Sequence, residues 1–70
     1  MEHSMNIILN GKDYEFTSGA TVADLLEKRG IVGKRIAVEV NEEILPRSEY
    51  HQYRLRAGDR IEIVGAIGGG

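Results

Sequence analysis

The sequence has 70 residues, enough for one domain, and a domain of this size buries only about 60% of its unfolded surface, so a large internal pocket is not expected. Cysteine is absent, which excludes a disulfide framework, a thiolate metal site and a cysteine nucleophile and is typical of proteins of the reducing cytosol. Nine basic and eleven acidic residues give a net charge of −2 with the two signs interspersed, which argues against nucleic acid as a partner.

The two ends of the sequence differ in character from its middle. No stretch resembles a signal peptide, and no apolar segment approaches the roughly 20 residues that span a bilayer, so we expect a cytoplasmic protein that does not bind membranes. Residues 1–4 fall outside the first strand pattern and are expected to be a tag remnant or a disordered N-terminus. We expect the folded domain at residues 5–64 and a flexible glycine-rich tail at residues 65–70.

A hairpin is predicted at the start of the domain. Apolar and polar side chains alternate over residues 5–9, and Asn10-Gly11 follows, the pair best suited to a two-residue type I′ turn. The facing pairs would be Leu9 with Lys12, Ile7 with Tyr14, and Met5 with Phe16. The apolar residues of both strands then share one face.

One short helix is predicted next. Thr21 and Asp24 have the spacing of a capping box, in which each side chain binds a free backbone N–H of the first turn. The apolar stripe that follows consists of Val22, Leu25 and Leu26. Gly30 is the expected left-handed residue after the helix. A helix of about two to three turns is marginal alone, so it must pack on a sheet.

The second half of the domain reads as strands. Alternation over residues 36–40 predicts a half-buried strand, and Ile44-Leu45 a short strand ended by Pro46. A looser segment leads to a turn at Gly58-Asp59 and a last strand over residues 60–64. One helix across one mixed sheet is the simplest way to bury these faces, so the fold class is α+β.

The folded part offers little that indicates chemistry. His3 and His51 lie far apart without metal-ligand spacing, and Ser48 lacks a Gly-x-Ser-x-Gly motif, so we expect no catalytic residue and no metal site. The adjacent Glu42-Glu43 is interpreted as part of a solvated turn rather than a catalytic pair. The three nearby arginines could form either a solvated surface or a docking patch for an acidic partner; they are Arg54, Arg56 and Arg60.

The sequence ends in a glycine-rich tail. Taken alone, such a run is more typical of a frayed end or a linker, because glycine has no side chain to pack. Within the tail, Ile67 either completes the last strand or docks with Ala66 in a groove of a partner. The order of the tail is Gly65-Ala66-Ile67-Gly68-Gly69-Gly70.

Taken together, several segments closely resemble the ThiS family, the sulfur carriers of thiamine biosynthesis. The resemblance runs over residues 5–70 and includes the hairpin, the capped helix and the glycine end. The glycine end is shared by ubiquitin-like carriers, whereas the more specific features are Asn41, Pro46-Arg47-Ser48 and Gly58-Asp59. This sequence ends in three glycines, where many family members end in two.

The resemblance implies a β-grasp, ubiquitin-like fold, with a mixed sheet of about four to five strands, and a carrier that is not an enzyme. Gly70 would be adenylated by a ThiF-type, E1-like adenylyltransferase that uses ATP and Mg, while the chain itself binds no cofactor. A source such as a cysteine desulfurase would supply sulfur for a thiocarboxylate, which a ThiG-type thiazole synthase would consume. The residues presented to the partners would be Ala66, Ile67, Gly68 and Gly69.

The chemistry of the residues favours the same interpretation. A carboxylate is a poor electrophile until it becomes a mixed anhydride such as an acyl-adenylate. The tail glycines precede no helix and no Lys-Ser or Lys-Thr pair, so the ATP site is expected on the partner. Glycines also let an extended backbone pass through a narrow channel. Without cysteine, sulfur has no side-chain persulfide to occupy, which leaves the C-terminal thiocarboxylate.

Two alternatives remain open at this point. One is a molybdopterin-synthase-type sulfur carrier, which also ends in Gly-Gly but is generally longer. The other is a noncovalent β-grasp interaction module whose terminal glycines are incidental. The second alternative differs from the carriers in not needing a free C-terminus.

Overall fold

The computed structural model describes residues 3–65 as one sheet with one α-helix. The elements in chain order are β1 (Ser4–Leu9), β2 (Lys12–Thr17), α1 (Val22–Lys28), β3 (Ile36–Val40), β4 (Glu43–Ile44), a 3₁₀ helix (Arg47–Glu49) and β5 (Arg60–Gly65). The strand order is β2-β1-β5-β3-β4, with β1 and β5 parallel and the other neighbours antiparallel. The predicted α+β class with a mixed sheet is therefore confirmed.

The hairpin of β1 and β2 has the predicted turn and register. Asn10 and Gly11 both adopt left-handed backbone angles, with φ of +50° and +83°. A type I′ turn requires this conformation at both central positions, which explains the Asn-Gly pair. All three predicted facing pairs are confirmed: Leu9 with Lys12, Ile7 with Tyr14, and Met5 with Phe16.

Strand β1 begins earlier than the sequence pattern predicts. Ser4, placed outside the hairpin by that pattern, pairs with Thr17, and its hydroxyl donates to Oε2 of Glu15 at 2.6 Å. The prediction for Ser4 is wrong because it followed side-chain hydrophobicity, whereas strand pairing uses backbone groups that every residue carries. Met1 and Glu2 lie outside the described residues.

Helix α1 has both predicted end signals. The Asp24 backbone N–H donates to Oγ1 of Thr21 at 3.2 Å, and the Thr21 N–H donates to Oδ2 of Asp24 at 2.9 Å. These two bonds form the capping box. Gly30, with φ of +72°, follows the C-cap residue Arg29 and directs the chain away from the helix.

The core lies between α1 and one face of the sheet. The helix contributes its predicted stripe of Val22, Leu25 and Leu26, all of them buried. The central strands contribute alternate residues, as a half-buried sheet requires. The side chains with the least exposure are Ile7, Leu25, Ile61, Val22 and Val38.

The short strand β4 is displaced by one residue from its predicted position. Asn41 and Glu42 both have positive φ, of +52° and +71°, so the turn ends early and Glu43 already pairs with Val40. The prediction of a turn is thus confirmed for Glu42 and wrong for Glu43. Leu45 follows the strand, where its backbone N–H donates to the carbonyl of Val38 at 2.9 Å and its side chain is buried.

The segment between β4 and β5 is more ordered than its irregular sequence indicates. Tyr50 and Leu55 are buried against the core, with 9% and 3% of their surfaces exposed. Leu55 donates its backbone N–H to the carbonyl of Ala20 at 2.8 Å, which ties the segment to the start of α1. No helix within residues 3–65 is long and apolar enough to cross a membrane.

Strand β5 extends one residue beyond its predicted end. The sequence pattern assigns Gly65 to the tail, but Gly65 pairs with Ile36 at the beginning of β3. The ladder continues to this point because β3 supplies backbone partners, which a side-chain pattern does not reveal.

The central position of Leu25 gives a direct test of the packing. Replacing Leu25, which has no exposed surface, with alanine should lower the free energy of unfolding by about 2 to 5 kcal/mol, because a cavity forms in the core. Chemical denaturation would measure the loss. Glu27→Ala on the exposed side of the same helix is the control and should change stability little. Equal stabilities for the two variants would contradict the packing.

Candidate functional site

The site predicted from the sequence is the tail that follows β5. Its residues lie outside the described part of the chain, so their predicted roles stay predictions. These residues are Ala66, Ile67, Gly68, Gly69 and Gly70. The structure does describe the strand to which the tail is attached, and this strand determines where the tail begins.

The last residues of β5 are held mainly from one side. β5 pairs with β3 over all its residues but the first, from Val40 opposite Ile61 to Ile36 opposite Gly65. Its pairing with β1 covers only Arg60 and Ile61. β5 therefore ends at Gly65, paired with β3, at the end of the sheet where β3 begins.

The sheet face opposite α1 is open near this point. Val64 and Ile44 are 51% and 70% exposed, although both are large apolar residues. Between them, Glu39 on β3 lies directly opposite Glu62 on β5. Like charges in facing positions of a sheet are unfavourable, so this row is not explained by the stability of the domain. The exposed side chains of Val64 and Ile44 make this face a candidate surface for contact with another protein.

An open groove of about 690 Å³ lies on the opposite face of the sheet, the face that carries α1. It runs between the end of α1, the connection at residues 30–36 and the 3₁₀ helix. Val32, which is 65% exposed, and Ile36 belong to its apolar lining. Because Ile36 pairs with Gly65, the groove opens beside the end of β5.

A buried carboxylate organises the turn before β5. Asp59 is only 7% exposed, and Oδ1 accepts from Nδ2 of Asn41 at 3.1 Å. Oδ2 accepts from the Tyr53 hydroxyl at 3.1 Å and from the Arg56 backbone N–H at 2.9 Å. A buried charge is tolerated when several donors satisfy it in this way. The carboxylate thereby joins the turn after β3 to the segment that leads into β5.

Asn41 links this carboxylate to the backbone of β5. Its Oδ1 accepts from the Arg60 N–H at 3.0 Å, and its own N–H donates to the Arg60 carbonyl at 2.8 Å. The positive φ of Asn41 suits asparagine, which tolerates the left-handed region better than most residues. The sequence pattern predicted a turn at Gly58-Asp59 and the family resemblance pointed to Asn41, but neither indicated the direct contact of Asn41 with Asp59.

Tyr53 responds to this buried carboxylate. Partial burial, the hydrogen bond to Asp59 and the charge of Asp59 all raise the pKa of the Tyr53 hydroxyl, and the Arg56 guanidinium opposes them. The hydroxyl donates to a carboxylate, so losing its proton would place two negative charges side by side.

The other sequence candidates do not form a site within the described residues. Arg54 donates through a guanidinium nitrogen to the Gly19 carbonyl at 2.8 Å, so one of the three clustered arginines serves the fold. Within residues 3–65, no group of three His, Asp or Glu side chains is placed to hold a metal ion. In the same range, every buried side-chain nitrogen and oxygen has a hydrogen-bond partner.

The strand order and the single helix across the sheet define a β-grasp domain. A solved structure of the thiamine biosynthesis protein ThiS from Geobacter metallireducens has the same fold, with a TM-score of 0.82 and 29% identity over 94% of this chain and 100% of that one. The sequence model of the ThiS family matches residues 7–70, and the chain belongs to this family.

Relatives of two kinds are similar to this chain. The sulfur carrier protein ThiS of Bacillus subtilis is 41% identical over 63 residues, which cover 89% of this chain and 96% of that protein. A thiazole synthase of Paramagnetospirillum magneticum is 42% identical over 66 residues, 94% of this chain. The chain spans only 20% of the length of that thiazole synthase, and the same share of one from Magnetococcus marinus.

The buried carboxylate can be tested by an isosteric change. In Asp59→Asn, the amide NH₂ must face at least one of the three donors now bound by the carboxylate. We expect the free energy of unfolding to fall by about 1 to 3 kcal/mol, the cost of leaving a buried donor unsatisfied. Denaturant unfolding would measure it, with exposed Glu27→Gln as a control for the change in charge. An effect no larger than that of the control would contradict the assigned role.

The raised pKa of Tyr53 predicts a late phenolate. A group with a raised folded-state pKa stabilises the fold fully below its unfolded pKa, about 10 for tyrosine, and this contribution is lost as the pH rises through the folded value. Ultraviolet absorbance would follow phenolate formation with pH in the parent and in Tyr53→Phe. The phenolate that is present in the parent and absent from Tyr53→Phe should form above the usual tyrosine range. Asp59→Asn should move it back down. Formation of that phenolate at or below the usual value would contradict the contact.

Proposed function

We propose that this chain is a sulfur carrier for thiazole formation in thiamine biosynthesis, a protein cosubstrate rather than a catalyst. The observation that carries the proposal is the extent of the family match, which continues past the end of β5 to residue 70. A glycine run read alone is typical of a linker. Its inclusion in the family pattern supports a role in function.

The proposed reactive group is the carboxylate of Gly70. One of its oxygens attacks the α-phosphorus of ATP, pyrophosphate leaves, and an acyl-adenylate forms on the partner enzyme. The outer sulfur of a persulfide donor, such as one loaded by a cysteine desulfurase, then attacks the acyl carbon and displaces AMP, which gives an acyl disulfide. A further thiol attacks the donor's sulfur in this S–S bond, so the bond is reduced, the thiocarboxylate is released and the donor is left as a disulfide. Activation is required because carboxylate oxygen is a poor leaving group. The ThiF-type adenylyltransferase holds the ATP and Mg in this scheme, and a ThiG-type thiazole synthase takes the sulfur.

Covalent geometry restricts how the partner can reach this group. Residues 66–70 span at most about 18 Å, at roughly 3.3 to 3.6 Å per residue. The partner must therefore bring its active site within this distance of Gly65, and its surface must lie against the end of β5. The exposed side chains of Val64 and Ile44 are available for that contact. We propose that Ala66 and Ile67 set the register of the tail while Gly68 and Gly69 pass through a narrow channel.

The relatives support the choice of pathway. Proteins named thiazole synthase contain a segment similar to this chain, which links such a domain to thiazole formation. The relatives from Bacillus subtilis and Escherichia coli are both named sulfur carrier protein ThiS, which favours this function over a molybdopterin-synthase-type carrier. The absence of cysteine from the sequence agrees with action in a reducing cytosol.

A blocked tail should abolish sulfur loading. The parent, Gly69→Val and a form with a cleavable tag after Gly70 would be incubated with the adenylyltransferase, MgATP, the desulfurase, cysteine and a thiol reductant. Intact-mass spectrometry should show oxygen replaced by sulfur in the parent alone. Valine adds a branched side chain where a channel is expected, and the tag consumes the α-carboxylate. Pyrophosphate exchange would measure the adenylation step separately.

Circular dichroism controls for folding, since neither change touches a residue of the core. Gly69→Ala, with a smaller side chain, should keep more activity than Gly69→Val. Removal of the tag to leave Gly70 as the last residue should restore loading. Pyrophosphate exchange at the parental rate by the tagged protein, with its tag intact, would show that the Gly70 carboxylate is not the reactive group.

A further inference from the structure

The bonding of β5 to β1 continues after β1 has ended. In a parallel pair, the N–H and C=O of one residue bind to the residues before and after its partner. Ile8 follows this rule, because it lies opposite Arg60 and its N–H donates to the Asp59 carbonyl at 2.9 Å. Every second residue of β1 directs its backbone N–H and C=O toward β5. After Ile8 the next such position is Asn10, which already belongs to the turn.

Asn10 continues the pattern with its side chain. Its backbone N–H donates to the Ile61 carbonyl at 2.8 Å, and its side-chain Oδ1 accepts from the Ile63 N–H, also at 2.8 Å. These two partners flank Glu62, so Asn10 bonds as a strand residue opposite Glu62 would. The side-chain carbonyl replaces a backbone carbonyl, since the φ of +50° has turned the backbone into the hairpin.

We infer that Asn10 is a positioning residue that holds the β1-facing edge of β5 at Ile63, two residues before Gly65. This inference rests on the proposed function, because what it positions is the base of the tail. Beyond Ile63, β5 is paired with β3 alone. The Asn10 side chain therefore makes the last described bond on the β1 side before the chain leaves the sheet.

Asn41 makes a related pair of bonds on the opposite edge of β5. There the strands are antiparallel, so a single residue of β5, Arg60, provides both the N–H and the carbonyl. Each edge of β5 is thus held by an asparagine with positive φ. Asparagine and aspartate combine this backbone angle with a short side-chain acceptor, whereas glycine provides the angle alone.

This difference defines the variants. Asn10→Gly keeps a turn that suits type I′ but removes the acceptor, and Asn10→Asp keeps both. Thr21→Ala is the matched control, since it loses one side-chain hydrogen bond at the start of α1, and within residues 3–65 Thr21 forms no hydrogen bond with β5. Melting temperatures would show that the destabilisation of the Gly variant and of the control is comparable.

The first measurement is amide hydrogen exchange by NMR, which does not depend on the proposed function. Asn10→Gly should speed exchange at Ile63 by about two- to tenfold beyond its effect on Val38, the equivalent of losing one net hydrogen bond. Asn10→Asp should restore protection, and Thr21→Ala should not single out Ile63. Unchanged relative protection of Ile63 in Asn10→Gly would overturn the inference.

The second measurement is the steady-state rate of thiocarboxylate formation at varied carrier concentration. With a less fixed base, the domain still docks but its tail carboxylate is less well oriented, so kcat should fall about two- to tenfold while KM stays near the parental value. Asn10→Asp should recover the rate. An equal fall in Thr21→Ala, or no recovery with Asp, would overturn the positioning role.

The two measurements also separate this inference from the proposed function. If the parent protein itself acquires no sulfur, the proposed carrier function fails, and hydrogen exchange at Ile63 still decides whether Asn10 holds β5. If the parent is loaded but Asn10→Gly is loaded at the parental rate, the carrier function stands and the positioning role of Asn10 is wrong.

Discussion

The insertion of β5 between β1 and β3 is the constraint on which the rest of the structure depends. It places Ile61, with no exposed surface, between the apolar faces of both neighbours and under α1. The short helix buries its stripe in the core that this sheet provides, and a helix of its length needs such support. Both the core and the place where the tail begins therefore follow from the position of one strand.

At the ends of β1 and β3, polar side chains form hydrogen bonds to the backbone of β5. β1 ends at a left-handed turn beside the middle of β5, and β3 ends at another beside the first residue of β5, which would leave backbone groups of β5 without partners. Asn10 and Asn41 supply those partners, and Asp59 joins the second of them to Tyr53. Residues that appear in the sequence as ordinary turn formers thus complete the hydrogen bonding of the central strand.

Local signals in the sequence predicted most of the fold. The Asn10-Gly11 turn, the Thr21 cap and the alternation of β3 are local, and each is confirmed. The errors occur at Ser4, Glu43 and Gly65, where strand limits depend on backbone partners far away in the chain. The contacts of Asp59 were missed because a buried carboxylate shows no periodicity, and its bond from Asn41 joins residues 18 positions apart. The predicted role of the tail came from the family resemblance.

The late position of β5 in the sequence has a consequence for the order of folding. Its parallel contacts join residues more than 50 positions apart, as with Ile8 and Arg60, and such distant pairings form slowly because a long loop must close first. Until β5 enters, β1 and β3 have no common neighbour and Ile7 and Val38 face an incomplete core. The segment proposed to react follows directly after the strand that closes the core. A partner enzyme that binds the tail only when β5 is paired in the sheet would therefore act on folded domains alone. Partly folded chains would not compete for its active site.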